Sequence, residues 1–133
     1  MTQEEKQLLL KDLCARLPYK VKAMYSKHEE TIIAGEYERI DADGVEVIDG
    51  YLDDYCFRID GYKIHISSIK PYLRPMSSMT EEEKEEESNL WNEHDTNLIR
   101  GMLRFYCSHH LDWNNLIPIG LALEAPKDMY KIE

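Results

Sequence analysis

The residues best suited to chemistry in this chain are its histidines, cysteines and carboxylates, and their spacing argues against each chemistry in turn. Cys107, His109 and His110 lie close together, with His65 and His94 elsewhere. Structural zinc sites use paired ligands at short spacing, and Cys107-x-His109 supplies half of one such set. Adjacent histidines on a helix point in different directions, and histidines near a helix C-terminus complement the negative end of its dipole with no metal involved. Cys14, Cys56 and Cys107 are odd in number, far apart and outside any CxxC pair, so they are expected to be free thiols. Acid–base catalysis needs two carboxylates whose environments drive their pKa values apart. Asp53 and Asp54 occupy adjacent strand positions that face opposite sides. No Gly-x-Ser-x-Gly elbow, phosphate loop or dinucleotide-binding glycine pattern is present. The expectation is a protein without catalytic residues, metal or cofactor.

Residue types suited to binding are easier to find. Lys20, Lys22 and Lys63, with Lys70 and Arg74, lie near predicted strands. Lys20 and Lys22 share one side of the first strand, and Lys63 shares a side with His65. The chain holds nine tyrosines against two phenylalanines, and seven of the nine fall before residue 75. A tyrosine can bury its ring and keep its hydroxyl wet, which suits a recognition rim; Tyr51 and Tyr62 are the candidates. Cations interleaved with such rings are the pattern of a single-strand-binding groove. Glu81, Glu82, Glu85 and Glu86 form the opposite kind of surface. They belong to a chain of net charge −10, in which residues 80–133 hold 5 Lys+Arg against 12 Asp+Glu. Such a surface repels phosphate backbones and attracts basic proteins, or imitates DNA if the carboxylates of 81–87, Glu93 and Asp95 align at phosphate-like spacing.

These residues need elements to hold them. Residues 2–16 read as a helix: Thr2 and Glu5 form a capping box, Leu9, Leu10, Leu13 and Leu17 make an apolar stripe, and Pro18 ends it. From residue 19 to 66 the apolar period changes from 3.6 to 2. Strands are expected over 19–25, 31–40, 45–48, 51–59 and 62–66, with a polar turn at 26–30 and a bulge or bend at Gly35. Asp43-Gly44, Asp49-Gly50 and Asp60-Gly61 are the turn signals between the later strands. Five short strands with tight turns leave long unpaired edges unless they close, which favours a small SH3-like barrel. A single 3₁₀ turn is expected within 67–73, and Pro71 and Pro75 stiffen the exit. Thr80 and Glu83 repeat the capping-box pattern and open a glutamate-rich helix. A break at His94-Asp95-Thr96 and a second helix over 97–109 follow, with a stripe of Leu98, Met102, Phe105 and Tyr106. Asp112 is expected to cap a last turn before Pro118.

The segments KDLCARLPYKVK (11–22), SSIKPYLRPMSSMTEEEK (67–84) and IGLALEAPKDMYK (119–131) resemble a family of short proteins without assigned activity. Its members recur in the genomes of anaerobic gut bacteria and in their prophages and mobile elements. The resemblance implies context rather than chemistry, namely a bacterial cytoplasm and a phage or mobile-element role.

Taken together these features predict one α+β domain over 1–133. It has an N-terminal helix (1–18), a five-stranded SH3-like barrel (19–75) and a C-terminal helical pair (76–133). No apolar run reaches the roughly 20 residues that span a bilayer, and the acidic, amphipathic start lacks a signal-peptide pattern, so a cytoplasmic location without membrane contact is expected. The functional expectation is a non-enzymatic protein-interaction module with a protein partner. Its alternatives are an acidic DNA mimic that inhibits a nucleic-acid enzyme, and a nucleic-acid-binding barrel.

Overall fold

A computed structural model describes residues 1–92 and 98–130, with backbone alone for 28–33, 37–42 and 98. The chain forms two compact units, Met1–Pro71 and Tyr72–Glu133.

The first unit opens with helix α1 (Gln3–Arg16), which begins at the expected capping box. Glu5 N donates to Thr2 Oγ1 and Thr2 N donates to Glu5 Oε1. Leu9 and Leu13 are fully buried, and Pro18 sits in the 3₁₀ turn Leu17–Tyr19 that ends the helix. Periodicity did not reveal that Asp12 and Arg16 are buried as well, at 1% and 0% exposure. Arg16 Nε donates to Asp12 Oδ2 at 2.7 Å and Nη2 to Oδ1 at 3.1 Å, a bidentate pair one helical turn apart. A buried charge is tolerated only when its partner's geometry is this good.

Four antiparallel strands follow: β1 (Lys22–Ile33), β2 (Glu36–Asp53), β3 (Cys56–Ile59) and β4 (Tyr62–His65). The loops between them each hold two residues, Ala34-Gly35, Asp54-Tyr55 and Asp60-Gly61, and all six residues have positive φ. Positive φ at both central positions is the requirement of a type I′ hairpin, whose twist matches that of the flanking strands. A 3₁₀ turn, Ile66–Ser68, leads into β5 (Ile69–Leu73), which pairs antiparallel with β1 at Ala23–Tyr25. The core of this unit is Leu9, Leu13, Val21, Ala23, Ile48, Phe57, Ile59, Ile64, Ile66 and Ile69.

The expected five-stranded SH3-like barrel is not what forms. The hydrogen-bonded order is β4-β3-β2-β1-β5-β6, an open, mixed six-stranded sheet. Closure failed because two of the three Asp-Gly signals are not turns. Asp43-Gly44 runs straight through β2, where Gly44 pairs with Tyr25 and a Cβ placed on it would lie 3.1 Å from the tyrosine hydroxyl. The ring occupies the space the glycine leaves. Asp49-Gly50 marks a register shift between β2 and β3 instead of a reversal. The end of the expected 31–40 strand, the 45–48 strand and the start of the 51–59 strand thus merge into one strand of 18 residues, and the expected 51–59 strand is broken where Asp54-Tyr55 reverses the chain into β3. Likewise the polar turn expected at 26–30 lies inside β1, and Gly35 is the hairpin tip. Beyond Tyr25↔Gly44, β1 and β2 pair only with each other, from Ser26↔Asp43 to Ile33↔Glu36.

In the second unit the end of β5 pairs in parallel with β6 (Leu123–Glu124) at Tyr72↔Leu123 and Leu73↔Glu124. Helices α2 (Glu81–Trp91) and α3 (Leu98–Ser108) supply the expected helical pair. The two helices meet at Gly101, where a Cβ would find Leu90 at 3.8 Å, an ordinary van der Waals distance. The core is Leu73, Met102, Phe105, Cys107, Leu111, Leu116, Leu121 and Ala122. Asp112, buried at 4%, accepts from the amides of Leu116 and Ile117 at 2.8 and 2.9 Å and shapes the turn that carries Trp113. The expected break at 94–96 and the expected helix start at residue 97 lie outside the described residues. No helix among the described residues is long and apolar enough to cross a membrane.

Breaking the Asp12–Arg16 pair strands a buried charge, so Asp12→Ala is expected to lower stability by about 3–5 kcal/mol. The double variant Asp12→Leu/Arg16→Met removes both charges and is expected to lose much less. Urea denaturation of both variants checks this, and equal losses would refute it.

Candidate functional site

The richest polar arrangement among the described residues is built in the second unit around Glu83. This residue is the third of α2 and completes the predicted capping box: Glu83 N donates to Thr80 Oγ1 at 3.1 Å, and Thr80 N donates to Glu83 Oε1 at 2.8 Å. Its carboxylate has a second task. Arg74 follows β5 by one residue, and its Nη2 and Nη1 donate to Glu83 Oε1 and Oε2 at 2.7 and 2.8 Å. Arg74 Nη1 also donates to the carbonyl of His109 at 3.2 Å, and Nη2 to that of Ser78 at 3.1 Å. The Arg74 backbone is held too, donating to His110 O at 2.7 Å and accepting from Asp112 N at 2.8 Å. His109 Nδ1 lies 2.9 Å from Glu83 Oε2, an ion-pair distance without the alignment of a hydrogen bond. Its Nε2 is 3.6 Å from Glu86 Oε2.

This wiring decides the protonation of Glu83. The Arg74 hydrogen bonds, helped by the Thr80 amide and opposed by burial, hold its carboxyl at about 2. The same pair raises the Arg74 pKa. Above the pair is a cleft of about 800 Å³. Glu82, Glu86, Glu124 and Asp128 line it against Lys127, and Pro75, Pro126 and Tyr130 add apolar surface. Since Arg74 and Glu83 neutralise one another, the cleft walls carry an excess of negative charge.

The opposite flank of α2 is different. Trp91, Ile99, Met102, Leu103, Tyr106 and Trp113 line an apolar groove of about 200 Å³. Tyr106 stacks on Trp113 at 6.3 Å between ring centres and donates its hydroxyl to Glu87 at 2.8 Å. Burial, with the Glu87 carboxylate, pushes that phenol up to about 12.

The sequence-predicted residues separate into two groups. Glu82 and Glu86 line the cleft, and Glu81 and Glu85 lie exposed beside them on α2. Glu81 pairs with Lys84 at 3.3 Å. The first-unit candidates each have surroundings of their own. Lys20 is the left-handed cap of the 3₁₀ turn, not a strand residue, whereas Lys22 begins β1. Lys63 is 3.3 Å from Asp53, and the backbone amide of Ser67 donates to His65 Nδ1 at 3.1 Å. Tyr51 packs edge-on against Phe57, and Lys27 lies over the Tyr62 ring. Sequence reading placed Arg74 on a basic face and missed its partner; the nearest signal was the Thr80-x-x-Glu83 box itself. His109 was weighed as a metal ligand, yet no three His, Cys, Asp or Glu side chains among the described residues are placed to hold a metal ion. His94, Glu93 and Asp95 lie outside the described residues.

No family model, curated protein or solved structure matches the chain.

The Glu83 geometry sets a pH dependence. Its pKa is lowered on folding, so its contribution is complete above the usual carboxylate range and is lost as pH falls from about 4.5 toward 2. Glu83→Gln is therefore expected to be destabilised at pH 7 by roughly 1.5–3 kcal/mol, the worth of hydrogen bonds to a charged group, and the deficit should shrink on acidification through that window. Denaturation of both proteins across pH 7 to 2 tests this; a deficit that is constant with pH would contradict it.

Proposed function

We propose that this protein is a non-enzymatic interaction module that engages a basic segment of a protein partner through the acidic face of α2 and the cleft beside it. The observation that carries the reading is the exposed row Glu81, Glu82, Glu85 and Glu86, with Glu82 and Glu86 lining a cleft whose Arg74 is neutralised by Glu83 and whose Lys127 is outnumbered by acids. Proton-transfer chemistry at neutral pH needs groups poised near 7. Glu83, held at about 2 by Arg74, and Tyr106, pushed up to about 12 by burial, both stand away from that range. What remains useful is a fixed field of negative charge on a rigid helix, which speeds encounter with basic surfaces and repels nucleic acid. The sequence resemblance adds the expectation of a phage or mobile-element setting for the partner.

The test is binding of a labelled oligolysine peptide to the full chain, followed by fluorescence anisotropy at low and at raised salt. Binding should weaken steeply with salt, because exposed charges are screened over roughly 10 Å at 0.1 M. The triple variant Glu82→Gln/Glu85→Gln/Glu86→Gln should bind about tenfold more weakly, at several tenths of a kcal/mol per exposed pair. Binding that is indifferent to both changes would sink the reading.

A further inference from the structure

We infer that the outer edge of β1, where it runs on beyond the sheet in its ribbon with β2, accepts an extended, basic segment of a partner protein as an added strand. The inference goes beyond the acidic-cleft reading and stands on a separate surface, in the first unit.

The sheet does not cover the whole of its longest hairpin. β5 pairs with β1 only at Ala23–Tyr25, and β3 pairs with β2 only from Ile48 onward. Further out, the two strands continue from His28↔Asp41 to Ile33↔Glu36 with no third strand beside them among the described residues. The register through this ribbon is unbroken, so no bulge turns its edges away. Neither lysine nor proline occurs in residues 28–42, although these are the residues that usually guard an open edge. A ribbon of two strands is marginally stable by itself, and a third strand along it would complete the main-chain pairing.

The edge dictates the form of its occupant. Main-chain donors and acceptors along an open strand are matched by another extended chain, not by a helix, whose own groups are paired internally. Residues 28–33 of β1 offer roughly 20 Å of such edge, at about 3.3 Å per residue. The sequence dictates the charge. Residues 28–42 hold one arginine against five Asp+Glu, a net of −4 with histidine neutral. That excess favours a strand carrying Lys or Arg, whereas a second copy would bring the same acids and a phosphate backbone would be repelled.

A pocket of about 410 Å³ marks the inner end of this edge, where the turn Ile66–Ser68 leads into β5. The cross-strand partners Met24 and Val45 line it at 42% and 43% exposure, with Ser67 and Ser68 beside them. Asp43 and Lys70 also line it and carry opposite charges, so the lining has no net charge and suits an apolar side chain. An added strand thus finds main-chain hydrogen bonds along the edge and an apolar anchor at its end nearest the sheet. Strand addition divides affinity and specificity in this way.

The probe is a short labelled peptide of alternating lysine and threonine with a leucine at each end, titrated into the full chain by fluorescence anisotropy. Two further peptides carry N-methyl groups on alternate amides, one at odd positions and one at even. Only one set of amides can face the edge. One methylated peptide should therefore bind at least about tenfold more weakly than the parent, and the other should match it. Deleting 28–33 and 36–41 joins Lys27 to Ala42 through the Ala34-Gly35 turn and keeps their pairing, and this variant should bind all three peptides alike. Val45→Lys, at an exposed pocket side chain, should weaken the parent peptide several-fold with the ribbon intact; cooperative thermal unfolding confirms that both variants fold. Equal binding of the two methylated peptides, or a difference that survives the deletion, overturns the inference and leaves the acidic-cleft reading standing. A difference abolished by Glu82→Gln/Glu85→Gln/Glu86→Gln instead of by the deletion moves the peptide to α2 and overturns it as well. Self-association in sedimentation that the deletion abolishes assigns the edge to a second copy, and duplex DNA binding that it abolishes assigns the ribbon to nucleic acid; either result overturns the inference.

Discussion

The ion pair between Arg74 and Glu83 is the interaction on which the second unit's surface depends. One carboxylate accepts both guanidinium hydrogen bonds and the Thr80 amide, and also faces the His109 ring. The strand exit, the start of α2 and the end of α3 are thereby tied at one point. Most of what α2 shows to solvent follows from that single anchorage. With Glu83 turned inward at 8% exposure, helical geometry puts Glu82 and Glu86 on one flank and Trp91 on the other. Because the pair is satisfied on nearly every side, it fixes structure instead of offering a reactive group.

The first unit rests on a different constraint, the geometry of its turns. Three hairpins reverse through residue pairs with positive φ, at Ala34-Gly35, Asp54-Tyr55 and Asp60-Gly61. Only two of these pairs contain glycine, so Ala34, Asp54, Tyr55 and Asp60 accept a conformation that L residues seldom adopt. Strand pairing on both sides of each turn outweighs that cost. Two-residue loops leave no slack in register, and the sheet accordingly keeps Phe57, Ile59 and Ile64 buried on its packed side.

The two units spend their polar groups in opposite ways. Asp12 and Arg16 are fully enclosed and serve the fold. In the second unit Glu81, Glu82, Glu85 and Glu86 of α2 stay in water, while Trp91 and Ile99 are left outside the core that their types would ordinarily join.

What the sequence determined by itself was the chemistry of contacts within a few residues. The capping boxes at Thr2 and Thr80, the α1 stripe through Leu9 and Leu13, the stop at Pro18 and the Asp60-Gly61 turn all form where their spacing says, since each needs only neighbours three or four positions away. The same locality made Asp43-Gly44 misleading. Whether that dipeptide turns is decided by Tyr25, 19 residues earlier, whose ring fills the glycine's empty side. The candidate site divided along the same line. The glutamates of α2 were legible as a charged helical start. That Glu83 leaves this row to bind Arg74 and meet His109 was not, because those partners are brought together by packing over 9 and 26 residues of chain. Only the tertiary structure chose an open sheet over a barrel and left Trp91 beside a groove, since both depend on which distant surfaces meet, and short-range pattern carries no information about that.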